Sequence, residues 1–232
     1  MNTLNLCINK ISDINTLEKV VSKNLKELNL SRNKISDINI LEKVNFTKLT
    51  NLDSKRLKII NLSRNRIQDI DILKRVDFKE LQELNLNDNK ISDINVLENT
   101  DFKELKILKL NYNEIEDISI LENVNFKELK ELNLASNRIS DINILEKVNF
   151  KKLIKLDLSA NNIFNINILE KVDFKELKEL NFSHNEISDI NILTKINFKE
   201  LDELFMVANP INKEDNESTI NYLETIINLL CI

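Results

Sequence analysis

The chain has 232 residues, 42% of them hydrophobic and 31% charged, with a formal net charge of −5. Lys and Glu are interleaved, so there is neither the basic footprint that nucleic acid requires nor a polybasic membrane patch, and no apolar run approaches the length of a membrane span. Gly is absent, which removes every glycine-rich phosphate loop of the Walker or dinucleotide-binding kind. Tight turns are therefore expected to fall to Asn and Asp, which tolerate left-handed backbone better than other residues bearing a Cβ.

The first residues, MNTLNLCINK, have neither the charged start nor the apolar core of a signal peptide. They begin inside a repeat, which leaves room for a segment upstream. One Asn marks each unit: Asn9, Asn33, Asn65, Asn89, Asn113, Asn137, Asn161, Asn185 and Asn209, separated by 24 residues except for one step of 32. Around each marker the pattern is L-x-x-L-x-L-x-x-N-x-I; at Asn137 the apolar positions are Leu129, Leu132, Leu134 and Ile139. A unit this short cannot bury its own apolar face and must stack on its neighbours. Leu132 and Leu134 alternate as in a strand, which turns Glu131, Asn133 and Ala135 towards solvent. Successive strands then stack in parallel to line a concave wall. The marker amide both donates and accepts, so it is expected to satisfy turn backbone groups of its own unit and of the adjacent one.

The return path, SDINILEKVNF, turns Ile142, Leu145, Val148 and Phe150 inward. Asn143 followed by Glu146 has the spacing of a capping box, and the segment is read as a short helix or 3-10 turn on the convex side. Phe46, Phe78, Phe102, Phe126, Phe150, Phe174 and Phe198 recur at one place and are expected to form an aromatic column with edge-to-face contacts. Asp13, Asp37, Asp69, Asp93, Asp117, Asp141 and Asp189 form a second column, with Asn165 in its gap. Stacked carboxylates can ligate calcium, but capping of the convex turn through backbone N–H groups is the preferred reading, and no metal site is assigned.

Three places break the pattern. Ser22 stands where the first column Phe would be. Eight extra residues fall within 47–56, just before the third strand, where a loop can bulge without disturbing the stack. After Asn209, Pro210 stops the repeat, Asp215 to Ser218 offer helix-start residues, and Ile220, Leu223, Ile226, Ile227 and Leu230 describe one apolar helical face. The division is thus a solenoid over 1–208, followed by a last turn and an amphipathic capping helix over 209–232. Cys7 and Cys231 lie in the first and last units, on the order of 40 Å apart at the strand spacing of a sheet, too far to bridge. A reduced, intracellular setting is the simpler expectation, cytoplasmic first, with nucleus or cell surface left open.

The marker pattern resembles that of leucine-rich repeat proteins, and it implies an α/β horseshoe with a parallel concave β-sheet and short helical or 3-10 turns on the convex side. The string Asn-Pro-Ile at 209–211, followed by Tyr222, Ile226 and Leu229–Leu230, resembles the C-terminal cap of an intracellular class typified by the nuclear regulatory subunit of protein phosphatase 1. That cap usually runs on to a further Leu-Asp, which this chain lacks. The Ile-Ser-Asp-Ile bodies, as at Ile139–Ile142, resemble internalins, which are bacterial surface adhesins. Both families usually carry slightly shorter repeats.

No catalytic constellation is present and no cofactor is expected. His184 is the only His, next to a marker, and Ser183 and Asp189 near it occupy positions filled alike in other units. The informative residues are those on the concave strands that depart from the consensus. Ile59, Arg64, Asn87, Asp88, Ile107, Lys109, Asn111 and Tyr112 cluster in the third to fifth units as an exposed apolar and basic mixture of the kind found at interfaces. A contact with another protein is expected there, centred on Ile107 and Tyr112, with the basic residues receiving acidic groups of the partner. The resemblance implies a non-enzymatic interaction scaffold. The alternatives are a secreted or surface adhesin, and an array that self-associates through the N-terminal edge strand around Leu4 and Leu6.

Overall fold

Each Leu-x-Leu pair forms a strand of three residues, and the constant step between units sets the strands side by side in register. A computed structural model describes residues 1–20, 25–43, 57–196, 198–226 and 228–230. The strands are β1 (Thr3–Asn5), β2 (Glu27–Asn29), β3 (Ile59–Asn61), β4 (Glu83–Asn85), β5 (Ile107–Lys109), β6 (Glu131–Asn133), β7 (Lys155–Asp157), β8 (Glu179–Asn181), β9 (Glu203–Phe205) and β10 (Asn228–Leu230). They form one parallel sheet in sequence order. Leu28 pairs with Ile60, Leu84 with Leu108, and Leu132 with Leu156, and each of these central residues is buried. The register also holds across the long step, where Glu27 meets Ile59. The insertion at 47–56, like Ser22, Phe46 and Cys231, lies outside the described residues.

Behind the sheet the chain returns through 3-10 turns such as Asn95–Asn99, Ser119–Glu122 and Asn143–Glu146, with a short α-helix, α1 (Ile40–Lys43), in the second unit. Their apolar residues complete a continuous core: Ile142, Leu145 and Phe150 are buried and Val148 packs at its margin. The column Asp residues do cap these turns. Asp141 Oδ1 accepts the Asn143 N–H at 2.8 Å, and Asn165 does the same for Asn167 at 2.9 Å. The expected capping box is not formed. Asn143 is already the first residue of its turn, Ile142 stands at the cap without a side-chain bond, and the acceptor comes from one residue earlier. The aromatic column differs as well. Phe174 and Phe198 lie with centroids 6.2 Å apart and planes 27° from parallel, stacked rather than edge-to-face.

The marker Asn residues join the units. Asn113 Nδ2 donates to the carbonyl of Leu110 in its own unit (2.9 Å) and to that of Leu86 in the preceding one (3.1 Å), while its Oδ1 accepts the N–H of Ile91 (3.0 Å). Asn137, Asn161 and Asn185 repeat this pattern and are buried with it. A second column sits one strand earlier in function. Asn133 Oδ1 accepts the N–H of Ala135 (3.0 Å), and Asn61 and Asp157 accept both the N–H and the hydroxyl of the Ser two residues on. These Asx turns bend the chain out of the strand.

The left-handed positions do not fall where composition pointed. The residue just before each marker has φ between 52° and 57°: Ile8, Arg32, Arg64, Asp88, Tyr112, Ser136, Ala160, His184 and Ala208. Only one of these is Asp and none is Asn. The Asn is needed one place later, and the hydrogen bonds on both sides hold its predecessor in a conformation that costs a residue with a Cβ about 1–2 kcal/mol.

After Pro210 the helix α2 (Glu217–Ile226) closes the solenoid. Leu223 is buried and Ile220 half-buried against the core. The helix is tied to the last turn through buried Asn216, which accepts the Ile190 N–H (3.1 Å) and donates to the Ser188 carbonyl (3.2 Å), and through Thr219, which donates to Asn191 Oδ1 (2.7 Å). The helix is shorter than its apolar face implied. Leu230 belongs to β10, where Leu229 pairs with Leu204. The unpaired N–H and C=O groups on the open edge of β9 favour a further strand over another helical turn.

Two outcomes follow for stability. Asn113→Ala strands the Ile91 N–H inside the stack and takes one of two amide donors from each of the Leu86 and Leu110 carbonyls, and should cost about 1–3 kcal/mol, against about 0.5 kcal/mol or less for exposed Lys130→Ala, read from urea midpoints. Ser136→Gly relieves a left-handed Cβ at some cost in chain entropy, and should raise stability by about 0.5–1 kcal/mol.

Candidate functional site

The concave surface is a set of rows one strand spacing apart. The first position of each strand gives the row Glu27, Ile59, Glu83, Ile107, Glu131, Lys155, Glu179, Glu203, in direct register from strand to strand. Strand alternation turns these side chains away from the core, so Ile59 and Ile107 are half-buried on the solvent face without serving the packing. They are two strands apart, about 10 Å, and Glu83 lies directly between them.

Of the predicted residues, the sheet brings together Ile59, Ile107 and Lys109. The others lie on the rim past the strand ends. Arg64, Asp88 and Tyr112 occupy left-handed positions, and Tyr112 is 60% exposed. Asn111 is half-buried and its carbonyl accepts the Asp88 N–H at 2.9 Å. The Asn87 N–H donates to Asn85 Oδ1 (3.1 Å) and its carbonyl accepts from Arg64 (2.9 Å). Its side-chain Oδ1 is buried with no donor, alone in this among the described residues.

The cations of the patch already have carboxylates of this chain beside them. Arg64 Nε lies 3.6 Å from Asp88, and Lys109 Nζ 3.4 Å from Glu131. Further along the same row Lys155 bonds Glu179, which is the largest cause holding the Lys155 ammonium above its ordinary range. Such exposed pairs add little to stability, but they alter what the surface offers. The Glu83 carboxylate has no ion-pair or hydrogen-bond partner among the described residues. Glu83 is not among the residues that the sequence singles out, because most units carry Glu at this position. The register is what sets Glu83 inside the patch.

Phe164, at a position held by Ser in several units, is 62% exposed away from the sheet, and a single exposed apolar residue is ordinary on a protein surface. The convex side has a groove of about 500 Å³ lined by Glu116, Asp117, Asp141, Ile144, Glu146 and Lys147. One oxygen each of Asp117 and Asp141 is engaged with a backbone N–H there. His184 is exposed in its left-handed position, and Asp189 is occupied capping Asn191.

Family models described as leucine-rich repeats match residues 55–99, 79–123 and 103–147, and a further leucine-rich repeat model matches 21–38 and 176–190. No curated protein matches the chain by sequence. Among solved structures, an internalin of Listeria monocytogenes is 29% identical with a TM-score of 0.69, over 91% of this chain and 62% of that one. Internalin C2 of the same organism is 24% identical with a TM-score of 0.68, covering 90% and 80%. A leucine-rich repeat protein of Leptospira interrogans shares the fold at 21% identity and a TM-score of 0.73, over 97% of this chain and 60% of that one. These findings agree with the internalin-like repeat bodies and add nothing to the resemblance of the C-terminal segment to the phosphatase-regulator class. The chain belongs to the leucine-rich repeat proteins, a family of interaction scaffolds rather than of enzymes.

Proposed function

We propose that this chain is a non-enzymatic protein-binding scaffold that takes its partner on the concave face, at the third to fifth units. The observation that carries the reading is the placement of Ile59 and Ile107 on the solvent side of the sheet, where burial in the core cannot account for them, with exposed Tyr112 on the adjoining rim. A solenoid built from parallel strands offers one continuous concave surface, and its convex Asp residues are largely engaged in capping. A second reading, a surface adhesin, draws on the 29% identity to an internalin. A signal peptide and wall-anchor segment in the full-length gene would select it, without changing the face used.

With a partner recovered by affinity capture from the native source, Tyr112→Ala should lose about 2 kcal/mol of binding with the melting curve unmoved, while Glu179→Ala changes affinity by about 0.5 kcal/mol or less. Losses falling on Glu179 and His184, or on convex Lys and Glu residues, would show the site is elsewhere. Asn87 offers a separate check on the patch. Ser31, Ser63 and Ser159 hold the equivalent position and donate to the strand Asn or Asp at 2.7 Å. Asn87→Ser removes a buried orphan acceptor and gains that bond, so it should stabilise the fold by about 1 kcal/mol in chemical denaturation.

A further inference from the structure

The row Glu27, Ile59, Glu83, Ile107, Glu131 alternates acid and isoleucine, strand by strand. Its carboxylates recur every second strand, about 9.6 Å apart at the spacing of a sheet. The Glu83 carboxylate is free of any partner among the described residues. Glu27 accepts the Thr3 hydroxyl (3.2 Å), a neutral partner, while Glu131 is ion-paired with Lys109 (3.4 Å). The basic residues beside the two isoleucines have partners off the strip: Lys58 lies 4.0 Å from Glu80, and Lys106 donates to Gln82 at 3.5 Å.

From this strip we infer that the concave face binds a basic segment of its partner in polyproline II conformation, with Lys or Arg at every third residue. The inference rests on the concave-face reading and specifies the partner's chemistry. The charge of the strip fixes the sign: Lys109 offsets Glu131, and the carboxylates of Glu27 and Glu83 have no cation of this chain beside them among the described residues. The flanking isoleucines suit the aliphatic stem of a long basic side chain, with the charged head on the acid. The period fixes the backbone. A polyproline II helix turns once in three residues and rises about 9.3 Å in doing so, returning every third side chain to one face. A β-strand returns side chains to one face at about 6.7 Å, and an α-helix does so at about 10.5 Å over seven residues. Crossing the strands at right angles, only the polyproline II repeat keeps step with Glu27, Glu83 and Glu131.

Fluorescence anisotropy with labelled synthetic peptides tests this on the full chain. One peptide consists of Lys-Pro-Pro repeats; a control has the same composition with all its lysines contiguous. The spaced peptide should bind more tightly than the control, and added salt should weaken it. Glu83→Gln, which keeps the side-chain volume, should weaken it about tenfold, while Glu203→Gln, outside the strip, should leave it within about twofold. A melting curve unchanged by Glu83→Gln keeps the comparison on binding. Equal affinity for the two peptides, or indifference to Glu83→Gln, overturns the inference. If the peptides fail while Tyr112→Ala still weakens binding of the native partner, the concave site stands and only its polyproline II occupant falls. If native binding ignores Tyr112 as well, the site itself falls.

Discussion

The structure depends on one amide per unit. A parallel sheet of three-residue strands has too little backbone pairing of its own to hold a stack in register. The marker Asn supplies the rest by donating to a carbonyl in its own unit and one in the preceding unit while accepting an N–H from that preceding unit. Replacing it with Asp would remove the donor, and Ser would be too short to reach two units. Because these groups are buried, losing the amide leaves the N–H of the preceding unit without a partner, and the effect of one substitution reaches two units.

That amide also dictates the local backbone. To bring it inward, the residue before it must turn left-handed in every unit, whatever its side chain. Ile8 shows how firmly this is imposed, since a β-branched residue at φ 56° is strongly disfavoured in isolation. The strand Asn contributes from the other side by fixing the exit from the strand. The marker Asn, joined in most units by the strand Asn, therefore does what a glycine would do in a chain that had one, by enforcing the turn through hydrogen bonds rather than relaxing the sterics; at Lys109 and Phe205, where the strand Asn is replaced, the turn is still left-handed.

Most of this was legible in the sequence because it is periodic. Leu132, Leu134, Ile142 and Phe150 recur at fixed offsets, and a fixed offset in a stacked repeat is a fixed position in space. The aspartate caps and the Asn bonds followed from residue type at a known place. What escaped were features set by the relation between units rather than by their content. The stacking of Phe174 on Phe198 is a relation between two repeats, which no single repeat encodes. The fate of Leu230 depended on the open edge of β9, a partner outside its own segment. In the candidate site, Ile59 and Ile107 stood out as departures from consensus, but the pairing of Arg64 with Asp88 and of Lys109 with Glu131 needed side-chain reach across units. Glu83 matched the consensus and so carried no signal by itself. Its meaning comes from its two neighbours in register.

The left-handed rim bears on which residues are there for function. Absence of Gly from these nine positions proves nothing, because the chain has none anywhere. Asn is the informative comparison. It is abundant in this sequence and is among the residues best able to adopt a left-handed conformation, yet it occupies none of the nine. Arg, Tyr, Ile and His stand there instead, with side chains that project from the rim and do nothing for the turn. If stability alone governed the position, the better-tolerated residues would recur as faithfully as the marker beside it does. Arg64 and Tyr112, unlike Asp88 between them, therefore run against the local energetics, and they do so beside the two isoleucines that the core does not use. Fold-determining positions are uniform because each unit faces the same packing problem; residues that differ at some local cost point to a surface shaped by something outside the chain.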